Sequence, residues 1–397
     1  MTKPQPTDVV VVGAARTPFT KFRGALSSLT APQLASHAIR AALEQGSVPA
    51  EAVDAVHLGQ VLSAGVGQNP AKQAALGAGI SPNAHTSSVN KVCLSGLTAI
   101  IDSARLLRSG EARVVVAGGM ESMSQAPHLI RNTRTGTKYG ELSTADHIEY
   151  DGLRAADTGI SMGELTEKDA DRYPATREEQ DRCAALSHQR AKRAHSTEWF
   201  AKEVAPVTVE TRRSTTVVDS DEGVRDNVTE ESLSDLRPVF AKEGTITAGN
   251  SSPLSDGAAA VVLCTAETAE EEGWTPLATL RAVGQVAGPD SSLQAQPANA
   301  LQAALDRQGW LAEDLDHIEI NEAFAAVVVH SAHVLGVEVD EVNPQGGAIA
   351  IGHPIGASGA RLVVHAVHQL AKANIERAGV GLCGGGGQGE AILLEAE

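Results

Sequence analysis

Ala50-Glu51-Ala52-Val53-Asp54-Ala55-Val56-His57-Leu58 and Ala312-Glu313-Asp314-Leu315-Asp316-His317-Ile318-Glu319-Ile320 are one pattern written twice. Each reads as a short turn followed by a strand of alternating apolar residues, and each follows an amphipathic helix. Those helices align as well, Ala41-Ala42-Leu43-Glu44 falling on Ala303-Ala304-Leu305-Asp306 at the same offset. Further along, the stretch Leu97 to Arg108 and the strand Val114 to Ala117 meet Ala360 to Ala371 and Val380 to Cys383 in the same order. Repeated supersecondary units in fixed order point to a duplication, and alternating strands and helices in each copy predict two α/β halves. Cys93 falls, by the same offset, on Ile355, beside His353. If the halves pair about a pseudo-two-fold axis, the two segments meet at their interface, a common place for a ligand site.

The middle of the chain, from about Ser122 to Gly244, matches neither copy and is rich in charge and turn residues, with a helix predicted over Arg177 to His195. It reads as an insertion covering the site. From Ile246 to Leu263 a loop–helix–strand pattern is predicted that belongs to the first half, and the second half begins near Thr275.

The totals fit a globular chain with no membrane or disordered bias. The chain has 397 residues, 42% hydrophobic and 20% charged, enough for two or three domains. Its formal net charge of −17 argues against nucleic acid or anionic lipid as a partner. Nowhere do 18 apolar residues run together and no secretory segment is read, so no membrane partner and a cytoplasmic location are expected. Four cysteines without paired spacing make no disulfide framework.

Two of those cysteines stand in glycine-rich settings. Cys93 precedes a helix predicted to start near Gly96, where the positive end of the macrodipole favours a thiolate. A small buried hydrophobe is the alternative for a lone cysteine. His353, between Gly352 and Pro354, is a base for a neighbouring thiol or a capping or core histidine. Cys383 ends a strand and opens four glycines whose N–H groups suit an oxyanion. Gly384, Gly386 and Gly389 satisfy a dinucleotide spacing, yet Glu390 to Glu395 reads as a strand instead of the required helix, so a hairpin is expected. Asn321 is either an N-cap or a group that orients water. His365 and His368 share a helix, but no third ligand is evident, so no metal is expected.

Asn90-Lys91-Val92-Cys93-Leu94-Ser95-Gly96-Leu97, Asn321-Glu322-Ala323-Phe324-Ala325, Gly346 to Gly359 and Cys383-Gly384-Gly385-Gly386-Gly387-Gln388-Gly389 resemble the four signatures of thiolases, the acetyl-CoA C-acyltransferases. The likeness spans essentially the whole chain, including Gly118-Gly119-Met120-Glu121-Ser122-Met123 and Thr245 to Asn250. It implies an α/β, thiolase-like fold, with two duplicated α/β halves packed as α-β-α-β-α layers and a large α+β loop-domain insertion. Residues 1–121 with 245–274 would form the half carrying Cys93. Residues 122–244 would be a loop domain contacting CoA and the acyl chain, and 275–397 the half carrying Asn321, His353 and Cys383.

The resemblance further implies that Cys93 carries the acyl group as a thioester, that His353 activates it, and that Cys383 moves the α-proton. Asn321 would hold a water that forms one oxyanion hole with His353, and the N–H groups of Cys93 and Gly385 the other. Arg225 would contact the nucleotide end of CoA and Ser252 the pantetheine; a solvated charge balancing Asp221 and Glu222 is the alternative for Arg225. CoA and acyl-CoA enter as substrates, with no cofactor and no metal, and a homodimer or homotetramer is expected. Ser161-Met162-Gly163 departs from a more usual His-Met-Gly, removing a histidine near the substrate sulfur, and Pro344-Gln345 and Pro253 also depart. A decarboxylative ketosynthase, a non-catalytic CoA-binding relative and a cysteine hydrolase are the competing readings; the second thiol and the intact residue set argue against them.

Overall fold

The computed structural model describes residues 4–136, 138–210, 212, 214–373 and 375–397. The first half contains β1 (Val9–Arg16), α1 (Ala31–Gly46), β2 (Ala55–Gly59), α2 (Pro70–Gly77), β3 (His85–Val89), α3 (Ser95–Arg108), β4 (Val114–Ser122) and, after the insertion, β5 (Ser255–Thr265). The second contains β6 (Ala278–Ala287), α4 (Gln296–Gln308), β7 (His317–Ile320), α5 (Ala325–Leu335), α6 (Ala348–Ile351), α7 (Ser358–Ala373), β8 (Arg377–Gly384) and β9 (Gln388–Ala396).

Strand order makes the duplication visible. The first half runs β1-β5-β4-β2-β3 and the second β6-β9-β8-β7. In both, the first two pairings are antiparallel and the β4–β2 and β8–β7 pairings parallel. The copies differ at β3, whose counterpart is the helix α6. They are joined by a short antiparallel seam, Val9 to Val11 against Ala278 to Leu280, into one sheet whose tenth strand is the two-residue Thr20–Lys21 against β5.

Because side chains alternate along a strand, each half-sheet offers two apolar faces. Val10, Val12, Val56 and Val116 pack with α1 and α2, while Val9, Val11, Val115 and Val261 pack with α3 and α7. Val380, Leu382, Ile392 and Leu394 of the second half cover the other side of that helix pair. Ile318, Ile320 and Leu393 pack against α4 and α5. The layers are therefore α-β-α-β-α, with α3 and α7 in the middle.

The helix expected between Ile246 and Leu263 does not form. Ser255 to Thr265 is one continuous strand, buried on both faces, where an apolar run needs no alternation to pack. The remaining strand and helix assignments hold, including the β8–β9 hairpin across Cys383 to Gln388. Among the described residues, no helix is long and apolar enough to cross a membrane.

Candidate active site

Between β3 and α3 the chain makes a tight turn that presents Cys93. Asn90 Oδ1 accepts from the Val92 N–H (3.1 Å), and Ser95 Oγ accepts from the Lys91 N–H (2.8 Å) and donates to the Val92 carbonyl (2.6 Å). These bonds hold Val92 at φ 53°, a left-handed conformation that costs a β-branched residue about 1–3 kcal/mol. Lys91 pairs with buried Glu390 of β9 at 2.7 Å, and the Thr98 hydroxyl donates to the same carboxylate at 2.8 Å. The turn is thus anchored to the other half.

The N–H groups of Cys93 itself and of Gly385 lie beside the Cys93 sulfur. Both donors favour a thiolate, as the helix start was expected to. Burial outweighs them, with Glu121 adding to it, and the thiol is pushed up to about 11. The expected thiolate preference is reversed because the sulfur is enclosed among apolar side chains.

α3 and α7 meet at their N-termini, which brings His353 to Cys93. A Cβ on Gly96 would stand 2.8 Å from the Gly356 carbonyl, and one on Gly359 2.7 Å from the Leu97 nitrogen, so bare backbone is required on both sides. Gly352 takes φ 123°, and the His353 N–H donates to Ser255 Oγ at 3.1 Å. Ser358 donates its hydroxyl to the Pro354 carbonyl (3.0 Å), leaving Oγ to accept from His353 Nδ1–H at 2.5 Å. This pattern assigns the tautomer with an unprotonated Nε2. Burial, with Arg361 nearby, pulls His353 down to about 4.

Asn321 is not a cap: α5 begins at Ala325, with Phe324 at the capping position. Its Nδ2 lies 3.5 Å from His353 Nε2, while Oδ1 is buried without a protein partner. That open acceptor suits a small donor such as water. Cys383, at the end of β8, is 1% exposed, and burial beside Cys93 raises its thiol far above the usual range.

Cys93, His353, Cys383 and Gly385 line one cavity of about 240 Å³, Ser252 with them. The insertion contributes Leu153, Ser161, Met162 and Phe240 to its wall. Ser161 also caps the helix Met162–Lys168, accepting from the Glu164 N–H at 3.2 Å. Arg225 is exposed and outside the lining, with Nη2 3.0 Å from His188 Nε2. Its suggested partner Asp221 is buried against Arg16 instead, at 2.7 Å.

Two carboxylates that sequence reasoning left without a role build the site. Glu121 accepts 3.0 Å hydrogen bonds from the N–H groups of Val61, Leu62 and Gly356, clamping the loop after β2 to the turn after His353. Burial raises it to about 7. Glu322 holds α6 through the Ile349 N–H (3.0 Å) and is itself bonded by Ser187 (2.6 Å) and Asn343 (3.0 Å). Their position inside the Gly118–Met123 and Asn321–Ala325 motifs was the available signal.

Residues 9–267 match the family model for the thiolase N-terminal domain and residues 274–396 that for the thiolase C-terminal domain. A probable acetyl-CoA acetyltransferase of Mycolicibacterium smegmatis is 52% identical over 386 residues, covering 97% of this chain and 100% of that one. An acetyl-CoA acetyltransferase of Cupriavidus necator is 44% identical over 391 residues, 98% of this chain and 99% of its own. The crystal structure of the Bacillus anthracis acetyl-CoA acetyltransferase superposes with a TM-score of 0.95 at 36% identity, over 98% of this chain and 99% of that one. With the duplicated layers and the paired thiols, these matches mean that the chain belongs to the thiolase family.

Proposed function

We propose that the protein is an acyltransferase that cleaves 3-ketoacyl-CoA with free CoA to acetyl-CoA and a shortened acyl-CoA. It also runs the reverse condensation, including two acetyl-CoA to acetoacetyl-CoA and CoA. The observation that carries this reading is two thiols with different surroundings, one from each half, opening into one cavity beside a single uncharged imidazole. Claisen chemistry needs both, because one sulfur is acylated while the other must still move a proton.

In the cleavage direction, His353 Nε2 takes the Cys93 proton as the sulfur attacks the 3-keto carbon. The N–H groups of Cys93 and Gly385 receive the oxyanion. Scission of the carbon–carbon bond leaves acyl-Cys93 and the enolate of acetyl-CoA, whose oxygen is met by His353 Nε2–H and a water on Asn321. The Cys383 S–H protonates the enolate carbon. The Cys383 thiolate then takes the proton of incoming CoA, whose sulfur attacks the thioester, and His353 returns its proton to departing Cys93. Ser252 lies along the pantetheine and Arg225 near the nucleotide in this reading. A homodimer or homotetramer completes it, supported by the exposed residues of the edge strand β3, and the cytoplasm is its proposed location.

The test is a chain-length series of 3-ketoacyl-CoA substrates, with product expected only when free CoA is added; rapid loss of substrate to water would rule the reading out. Cys93→Ala should show no acyl-enzyme by intact-protein mass. Cys383→Ala should still acylate but lose α-proton exchange by about 10²–10⁴-fold. Equal acylation defects in both would break the division of roles.

A further inference from the structure

Away from the cavity, a second set of buried polar side chains converges between β7 and α7. His317 and Glu319 alternate with Ile318 and Ile320, whose side chains face α4 and α5, so this pair faces the central helices. His365 reaches them from α7. His317 Nε2 lies 3.1 Å from Glu319 Oε1, and His365 Nε2 3.8 Å from that same oxygen. Gln345 Oε1, in the turn before α6, is 3.3 Å from His365 Nε2. His317, Glu319 and His365 are 4%, 0% and 1% exposed, while Gln345 is half-buried and marks the side from which a small ion would enter.

These contacts do not add up to a closed hydrogen-bond network. Neither His317 Nε2 nor Glu319 Oε1 has a hydrogen-bond partner: they are near each other but not aligned. Four donors around a tetrahedral ion stand roughly 3.3–3.6 Å apart, given bonds of about 2.0–2.2 Å, and the three separations above straddle that range. The groups behind the donors match what metal ligands require. His365 Nδ1 is 2.7 Å from Glu203 Oε2, which orients the ring and leaves Nε2 facing inward, and Glu319 Oε2 accepts from Arg361 Nη1 at 3.0 Å. His368, which shares α7, is not part of it; its Nε2 lies 2.8 Å from the Ala14 carbonyl.

We propose that His317, Glu319, His365 and Gln345 bind one divalent ion of the zinc class in a closed structural site. Two imidazoles, a carboxylate and an amide oxygen suit zinc in softness and number. The ion ties β7, which runs directly into Asn321, to α7, whose first turn carries Ser358 against His353. It therefore fixes the separation of Asn321 and His353 from behind without touching substrate. The other three donors come from β7 and the turn at Gln345, which the spacing of histidines along α7 does not reveal.

The experiment is metal analysis of the untagged, full-length protein from cells grown with zinc, manganese, iron and cobalt available. About one equivalent of zinc per chain should survive dialysis against a chelator and be released on unfolding. It should persist in the Cys93→Ser/Cys383→Ser double variant, disappear in His365→Gln, and its removal should lower the melting temperature. Wild-type protein holding less than about a tenth of an equivalent, both as purified and after refolding with zinc, overturns the proposal. So does zinc that is lost with the two thiols. The wild-type measurement decides even if the histidine variant does not fold.

Discussion

For Cys93, enclosure raises the thiol further than the two nearby N–H donors lower it, to about 11. His353 moves the opposite way, to about 4, for the same reason: burial disfavours whichever form is charged. A resting thiolate–imidazolium pair is disfavoured at both of its members. The proton therefore has to move as the sulfur attacks, when the thioester or ketone takes up the charge. His353 must be neutral to accept it, and its pKa lies below the ordinary 6.5, so kcat/KM should hold through pH 5–6 and fall only towards pH 4. An acid limb near 6.5 in a pH–rate profile would contradict this. Stability has the same sign: unfolded histidine protonates at about 6.5, so this group's contribution is present above that pH and declines as pH falls towards 4. The residues of the site were legible because glycine, proline and asparagine mark special backbone around them. Their ionisation was not, because the neighbours that enclose Cys93, such as Met123 and Leu254, are distant in sequence.

The elements that matter most are α3 and α7, which touch through bare backbone. Gly96→Ala would press a methyl against the Gly356 carbonyl and the Ala360 nitrogen, at 2.8 and 3.0 Å. The helices would have to separate, costing about 1–3 kcal/mol in stability and moving Cys93 from His353. Urea denaturation and acylation rate should fall together; an unchanged rate would show that the contact is not what sets the pair. The two helices were readable from their apolar periodicity and from the glycines at their starts. β5 was misread because Gly257-Ala258-Ala259-Ala260-Val261-Val262-Leu263 is buried on both faces and carries no period that separates strand from helix.

Across the whole molecule, a buried ion network joins the three parts of the chain. Arg16 of the first half pairs with Glu203 (2.8 Å) and Asp221 (2.7 Å) of the insertion, and Glu203 with His365 of the second half (2.7 Å). Arg16→Met should cost about 3–5 kcal/mol, since it leaves two carboxylates buried without their guanidinium. A loss below 1 kcal/mol by urea denaturation would mean that the carboxylates find other partners. No local pattern announces this network, because its members lie too far apart along the chain; the duplication, being a pattern of order, was readable throughout. The shared central layer also bears on how the protein is made. α3 leaves the ribosome early, yet its second cover, α7 with β8 and β9, begins about 250 residues further along the chain. At roughly 5–20 residues per second its apolar face stays uncovered for tens of seconds. During that interval β1 also waits for β6 at the seam, so the nascent chain carries a greasy helix and an open strand edge together. Both are aggregation-prone surfaces, and the shared central layer closes only once β8 and β9 have been made.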